Sequence, residues 1–196
     1  EWVAERSGTL NISIEAMILT GAFAGAMGYD LTESALVGIL MGMVAGLLVS
    51  LVQAQMSHRL TADQFVVGLT LNILFLGVTS FLYAEWKPSS KVVSKLEIPV
   101  LKEIPLIGKA FFGQPWPFLL LYLLVPFTWW LVYRTRWGLE VRAVGENPQA
   151  ADVSGIDVNK RRRQSIYYAG LCSGMGGAYL LLGQVGRFDD GIVAGR

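Results

Sequence analysis

Long apolar runs separated by shorter polar intervals dominate the sequence. Five runs of 16 to 21 residues are almost wholly apolar. About 20 consecutive apolar residues are needed for a helix to cross a bilayer. The pattern therefore predicts an all-α, polytopic membrane helix bundle with about five transmembrane helices. The runs are residues 10–27, 34–51, 65–83, 117–132 and 165–185.

Small residues recur every four positions within these runs. Such rows let the backbones of membrane helices approach closely, because lipid offers little hydrophobic drive for helices to associate. We therefore expect each run that carries such a row to pack closely against other helices. The rows are Gly21 and Gly25; Gly38, Gly42 and Gly46; Ala169, Ser173 and Gly177; and Gly170, Gly174 and Ala178.

A few polar residues lie inside or beside the apolar runs. Asn11 and Glu15 are four residues apart in the first run, and Asn72 is near the middle of the third. Polar groups at membrane depth need partners or water and are functional candidates. Glu15 is either a path residue or a hydrated interfacial carboxylate, and Asn72 either joins helices, which we favour, or lines a pore. We predict a solute path at Asn11, Glu15 and Asn72.

An aromatic residue beside carboxylates follows the fifth run, at Phe188 and Asp189. Sugars and nucleosides offer hydroxyl groups to acceptors and flat faces to aromatic rings. We therefore predict that Phe188 and Asp189 line the outer mouth of the path, although an exposed loop would have the same composition.

Two long polar intervals separate the last three apolar runs from one another. Residues 84–116 contain prolines and five lysines among short apolar patches, and we predict an external loop there. Residues 134–163 are rich in arginine. Five crossings would place nine lysines and arginines on the side of 134–163 and seven on the other. The positive-inside rule then favours a cytoplasmic 134–163.

The interval 134–163 contains the signals of a short helix. Asn147 is a good N-cap, and Pro148 suits the first helical position because its missing N–H costs nothing there. Gly155 supplies a left-handed residue that ends the helix. We predict about two helical turns between Asn147 and Gly155 that need support from membrane segments or from a partner.

Composition agrees with a membrane protein, since 53% of residues are hydrophobic and only 16% are charged. The net charge of +1 gives no reason to expect a nucleic-acid partner. Cys172 is the only cysteine, which excludes an intrachain disulfide. No phosphate-binding Gly-Lys-Ser/Thr motif, catalytic triad or metal-ligand spacing is present. We expect no catalytic residues, no metal and no cofactor of its own.

The short helix carries a family resemblance. Gln149, Ala150, Ala151 and, four residues on, Gly155 resemble the EAA-x-x-x-G coupling loop of permease subunits of ATP-binding-cassette (ABC) importers, with Gln149 in place of the acidic residue. The segment 135–162 resembles permeases for simple sugars and nucleosides, a branch that includes branched-chain amino-acid permeases. Residues 5–28, 68–82 and 186–196 also resemble this family.

The resemblance implies a transport subunit that is not itself an enzyme. A second permease subunit, identical or not, would complete the path for a nucleoside or simple sugar. Two cytoplasmic ATP-binding subunits would use the ATP, and an extracytoplasmic binding protein would deliver the solute. We expect a multi-pass protein of a bacterial-type inner membrane. The chain begins without methionine and family members are longer, so residues 1–196 would be one partial permease domain.

The resemblance also assigns roles to residues of the short helix. Asn147, Pro148, Gln149, Ala150, Ala151 and Gly155 would contact the ATPase. Arg142 and Arg161 would pair with acidic residues of that ATPase or with membrane lipid. An ion-coupled secondary transporter is the alternative, with Glu15 as its single ionisable candidate; a membrane enzyme is disfavoured because no reactive constellation is present.

Overall fold

A computed structural model describes residues 1–88, 118–186 and 188 of the chain. These residues form helices, and no strand occurs in the described part. The helices are α1 (Trp2–Arg6), α2 (Ile14–Thr32), α3 (Ala35–His58), α4 (Gln64–Trp86), α5 (Phe118–Arg134), α6 (Arg136–Glu146), α7 (Pro148–Val153) and α8 (Val158–Tyr179), which continues as a π-helical segment, Leu180–Val185.

The core of the bundle is made by α2, α3 and α8, which touch along their glycine rows. A Cβ placed on Gly21 would lie 2.5 Å from the Cα of Gly174. A Cβ on Gly42 would lie 2.6 Å from the Cβ of Ala178 and 2.8 Å from the carbonyl oxygen of Gly21. Backbone therefore meets backbone at the centre of the bundle, which confirms the packing predicted from the small-residue rows.

The opposite face of α3 is apolar and exposed. Leu36, Leu40, Val44 and Leu48, again four residues apart, each expose more than half of their surface. Exposed apolar patches of this extent are unusual on soluble monomers and mark a surface that meets lipid or protein. Glycine thus faces the core of the bundle and leucine or valine faces outward.

Two helices in the described part are long and apolar enough to cross a membrane, namely α3 with 24 residues and α4 with 23. This agrees with a membrane helix bundle, but the predicted number of about five crossings is not confirmed. Helix α5 has 17 described residues, about 26 Å at 1.5 Å per residue, which is short of a 30 Å hydrocarbon core.

Two predicted apolar runs begin at residues that differ from the first residues of the corresponding helices. Helix α2 begins at Ile14 and not at Leu10. The backbone before it bonds to α4 instead, since the N–H of Leu10 donates to Gln64 Oε1 and the carbonyl oxygen of Ile12 accepts from Asn72. Helix α8 begins at Val158, seven residues before the apolar run at Ser165, and its first turns carry four basic residues, Lys160 to Arg163.

The predicted cytoplasmic interval 134–163 is mostly helical. It contains α6, α7 and the first turns of α8. The predicted external loop 84–116 begins inside α4, which continues to Trp86, and residues 89–116 lie outside the described part. The start of α2, the end of α3 and the starts of α4 and α8 meet on the side of α6 and α7, which we call the α7 end of the bundle.

Candidate functional site

Helix α7 is capped at both ends by residues that the sequence identified. The Oδ1 atom of Asn147 accepts a hydrogen bond of 3.0 Å from the backbone N–H of Ala150, and Pro148 occupies the first turn. At the other end Gly155 has φ of +81°, and the N–H of Ile156 bonds to the carbonyl oxygen of Ala151 at 3.0 Å. The helix predicted between Asn147 and Gly155 is confirmed.

The two faces of α7 differ sharply in burial. Ala151 is buried, whereas Gln149 and Ala150 are exposed. Val153 exposes 90% of its surface, the largest fraction among the exposed large hydrophobic residues of the described part. Sequence reasoning missed Val153 because a single valine between the polar residues Asp152 and Ser154 carries no periodic signal.

Four hydrogen-bonding side chains, which we call the clasp, join α6 to α8, the helices that come before and after α7. Nε and Nη2 of Arg161 both lie 2.5 Å from Oε2 of Glu140. The Oε1 atom of Gln164 accepts hydrogen bonds from Trp137 Nε1 at 2.9 Å and from Arg161 Nη1 at 2.8 Å. These four side chains fix the helix before α7 to the helix after it.

The remaining arginine predicted to face a partner is also engaged within the chain. The guanidinium carbon of Arg142 lies 5.0 Å from the ring centroid of Tyr133, in a cation–π geometry. Arg142 and Arg161 are both half-buried. Their pairing with an ATPase or with lipid stays a prediction, and the structure gives each of them a contact inside this chain.

Asn72 joins α4 to the start of α2. Its Oδ1 accepts a 3.0 Å hydrogen bond from the N–H of Ala16, and its Nδ2 donates a 2.9 Å bond to the carbonyl oxygen of Ile12. The first N–H groups of a helix have no partner within that helix, so Asn72 caps α2 from another helix. This geometry agrees with the favoured interpretation that Asn72 joins helices.

Asn11 belongs to a buried polar cluster at the same end. Ser13 Oγ donates to Asn11 Oδ1 at 3.2 Å and also contacts Oε1 of Gln53. Asn11, Ser13 and Gln53 are all buried. Sequence reasoning missed Gln53, although its position seven residues after Gly46 continues the inward face of α3.

The predicted path residues do not come together in one place. Glu15 is exposed in the first turn of α2, near Asn11 and Asn72 at the α7 end. Phe188 is buried towards the other end, where its ring centroid lies 5.5 Å from that of Phe23 and 5.1 Å from that of Tyr83. Asp189 lies outside the described residues.

The described polar residues form contacts between helices and do not form a recognisable reaction centre. Within residues 1–88, 118–186 and 188, no group of three or more His, Cys, Asp or Glu side chains is placed to hold a metal ion. At the α7 end, hydrogen bonds of Asn72, Ser13 and Arg162 join different segments of the chain, while Gln53 Nε2, Ser57 Oγ, His58 Nε2 and Arg142 Nε are buried without a partner among the described residues.

Comparison with known proteins gives consistent results. The family model described as branched-chain amino acid transport system / permease component matches residues 2–195. The chain is 36% identical over 187 residues to the guanosine ABC transporter permease protein NupQ of Bacillus subtilis, covering 89% of this chain and 59% of that protein. No solved structure matches the chain.

Two further relatives show the same pattern. Identity is 32% to the nucleoside ABC transporter permease protein NupC of Lactococcus lactis, covering 98% of this chain and 65% of the relative. It is 33% to the putative glucose ABC transporter permease protein TsgC13 of Haloferax volcanii, covering 100% and 61%. The chain thus spans about three fifths of the length of these curated relatives. Because the family model covers nearly every residue, the chain belongs to the branched-chain amino acid transport system / permease component family.

Proposed function

We propose that the protein is the permease subunit of an ABC importer and forms the translocation path for a nucleoside or a simple sugar. Relatives named as guanosine, nucleoside and ribose permeases, such as NupQ, NupC and the ribose import permease RbsC of Bacillus subtilis, support this solute class. A second permease subunit, two cytoplasmic ATP-binding subunits and an extracytoplasmic binding protein complete the proposed assembly in a bacterial-type inner membrane.

The observation that carries this proposal is the form of α7. The helix is stiffened by its caps, held between α6 and α8, and presents Val153 almost fully to the outside. A large exposed apolar side chain on a short rigid helix suits an apolar groove on a partner. We place the ATP-binding subunit on this face, with Gln149, Ala150 and Gly155 at the same contact.

The clasp would transmit movement of α7, caused by the ATP-binding subunit, to the membrane helices. Movement of α7 acts on α6 and α8 together, because Glu140 and Arg161 tie the two helices. Helix α8 in turn packs on α2 and α3 over the glycine rows. The interface-rotation type of switch needs such rigid connections between the contact and the packed core.

For the solute path, the predicted residues fall into two levels. Asn11, Glu15 and Asn72 lie at the α7 end, and we propose that they border the exit from the path. Phe188 lies at the opposite end and is held by Phe23 and Tyr83. Because its ring is buried, we propose that it closes the outer mouth until these helices separate. Asp189, the next residue in the sequence, stays a predicted mouth residue.

The test is the change Val153→Asp in the full-length protein, expressed with its partner subunits. Burying a valine contributes about 1.5–3 kcal/mol, and a charge at that position adds a desolvation penalty. We expect retention of the ATP-binding subunit during purification to fall at least tenfold. Uptake of labelled guanosine or ribose should fall with it, while the amount of protein in the membrane stays the same.

The matched control is Val185→Asp, since Val185 is also exposed but lies at the end of α8 away from α7. This control should retain the ATP-binding subunit. If Val153→Asp retains the subunit and transports as well as the wild type, α7 is not the contact. Uptake that survives ATP depletion but stops when the ion gradient collapses would instead support an ion-coupled transporter.

A further inference from the structure

An unassigned polar cavity of about 530 Å³ lies at the α7 end. Its walls come from the end of α3, the turn into α4, residue Leu10 and the first two turns of α8. Neither the clasp nor the predicted solute path includes the side chains that line it. Those that bear on its chemistry are Leu10, Ser57, His58, Phe65, Asn159 and Arg162.

Two side chains in the cavity have buried polar atoms that nothing in the described part of the chain satisfies. Ser57 and His58 expose only 7% and 6% of their surfaces. Ser57 Oγ and His58 Nε2 have no hydrogen-bond partner among the described residues. Buried polar atoms are nearly always bonded in folded proteins, so these two atoms are available to bond a polar ligand or water in the cavity.

Arg162 is the cation that lines the cavity. The Nε of its guanidinium group donates to the carbonyl oxygen of Ser7 at 3.3 Å, which holds the side chain in place, and its two terminal nitrogens carry further N–H donors. Asn159 adds an amide. The carboxylate of Asp63 also lines the cavity, but its Oδ1 accepts from the N–H groups of Phe65 and Val66 and caps α4.

Part of the cavity wall is apolar and exposed. Leu10 and Phe65 line the cavity and expose 54% and 55% of their surfaces, and Leu60 and Val66, near them in the sequence, are more exposed still. Helix α4, which begins at Gln64, is one of the two helices apolar enough to cross a membrane. The cavity therefore lies where a membrane-crossing helix begins, at the depth of the lipid headgroups.

We propose that this cavity binds an anionic phospholipid, with its phosphate among Ser57, His58, Asn159 and Arg162 and its acyl chains over Leu10 and Phe65. A ligand with both an anion and hydrocarbon matches both halves of the site. Phosphate oxygens accept several hydrogen bonds and pair well with a guanidinium group. The site does not depend on the proposed transport function, since it requires only the membrane placement of α4.

The experiment measures lipid binding to the full-length protein in a zwitterionic detergent by native mass spectrometry. Phosphatidylglycerol and phosphatidylcholine with identical acyl chains are compared. We expect phosphatidylglycerol to bind at least tenfold more tightly, and Arg162→Gln to remove that preference. Arg163→Gln is the matched comparison, because Arg163 carries the same charge at the next position but does not line the cavity. Its charge also acts on His58, so we expect a loss that is smaller than that of Arg162→Gln.

A second variant keeps the test decisive if Arg162→Gln destabilises the fold through the lost bond to Ser7. Asn159 is exposed at the second position of α8, where a carboxylate is favourable to the helix dipole. Asn159→Asp should therefore fold normally. By placing a negative charge in the cavity, it should weaken phosphatidylglycerol binding about tenfold or more.

The apolar half of the site has its own control pair. Phe65→Ala should weaken phosphatidylglycerol binding, whereas Phe81→Ala, at an exposed position near the other end of the same helix, should not. Equal binding of the two lipids, or equal losses in Arg162→Gln and Arg163→Gln, would overturn the proposal. Displacement of the lipid by equimolar glycerol phosphate would show that the ligand is a soluble phosphate and would overturn the lipid assignment.

Discussion

The substitution Gly42→Ala tests the close packing of α2, α3 and α8 directly. The added methyl group would lie 2.6 Å from the Cβ of Ala178, 2.8 Å from the carbonyl oxygen of Gly21 and 3.0 Å from that of Gly174. Ordinary contact begins at 3.4 Å, so the first two separations must grow by about 0.8 Å and 0.6 Å. These atoms belong to α8 and α2, and moving one helix away therefore does not relieve the other clash.

The expected cost follows from this geometry. Inserting a methyl group into a packed core costs about 1–3 kcal/mol, and the better helix propensity of alanine offsets at most about 1 kcal/mol. We expect a net loss of about 1–2 kcal/mol in the free energy of unfolding. Gly176→Ala is the control, because a Cβ there has no neighbour within 4 Å. That control should be neutral or more stable by about 0.5–1 kcal/mol.

The measurement is the unfolding midpoint in detergent micelles titrated with sodium dodecyl sulfate, followed by tryptophan fluorescence and circular dichroism. Wild type, Gly42→Ala and Gly176→Ala are compared under one condition. The reasoning requires the two alanine variants to shift in opposite directions, or only the first to shift. If both variants unfold at the same point as the wild type, the helices are not in backbone contact at Gly42.

Three further predictions concern the α7 end. Gly155→Val should lower the free energy of unfolding by only about 1–2 kcal/mol, because φ is +81° there but no atom lies within 4 Å of an added Cβ. Uptake should nevertheless be lost. Gly155→Asn should retain uptake, because asparagine tolerates the left-handed conformation. A double-mutant cycle with Glu140→Gln and Arg161→Gln should give a coupling of about 1 kcal/mol in unfolding, and additive effects would mean that the clasp contributes nothing. Asn72→Leu should lower the free energy of unfolding by about 2 kcal/mol, since it leaves the N–H of Ala16 without its cap. Ser80→Ala, which removes a bond within one helix only, should change it little and is the control for Asn72.

The features that the sequence predicted well are local ones. The cap at Asn147, Pro148 in the first turn and the left-handed Gly155 act within a few residues of one another, so their spacing alone indicates the helix. Rows of small residues are local in the same sense, because a spacing of four defines a helix face. The inward face of α3 from Gly38 to Gly46 followed from that spacing.

The features that the sequence did not predict depend on contacts between distant segments. Asn72 bonds to Ile12 across 60 residues and fixes where α2 begins, which composition does not reveal. Helix α6 has charged residues among its apolar positions, so the sequence pattern predicts only a polar interval there. The burial of Phe188 depends on Phe23 and Tyr83 in two other helices. Residues whose roles depend on such tertiary partners carry no short-range signal.

Helix α8 and its π-helical continuation connect the α7 end to the opposite end of the bundle without a break. From Gly174, where α8 meets both α2 and α3, the helix extends 16 residues back to Val158 and 11 residues on to Val185. At 1.5 Å per residue these arms are about 24 Å and 16 Å long. If α8 moved as a rigid rod about Gly174, a 3 Å displacement beside α7 would move the far end by about 2 Å the other way.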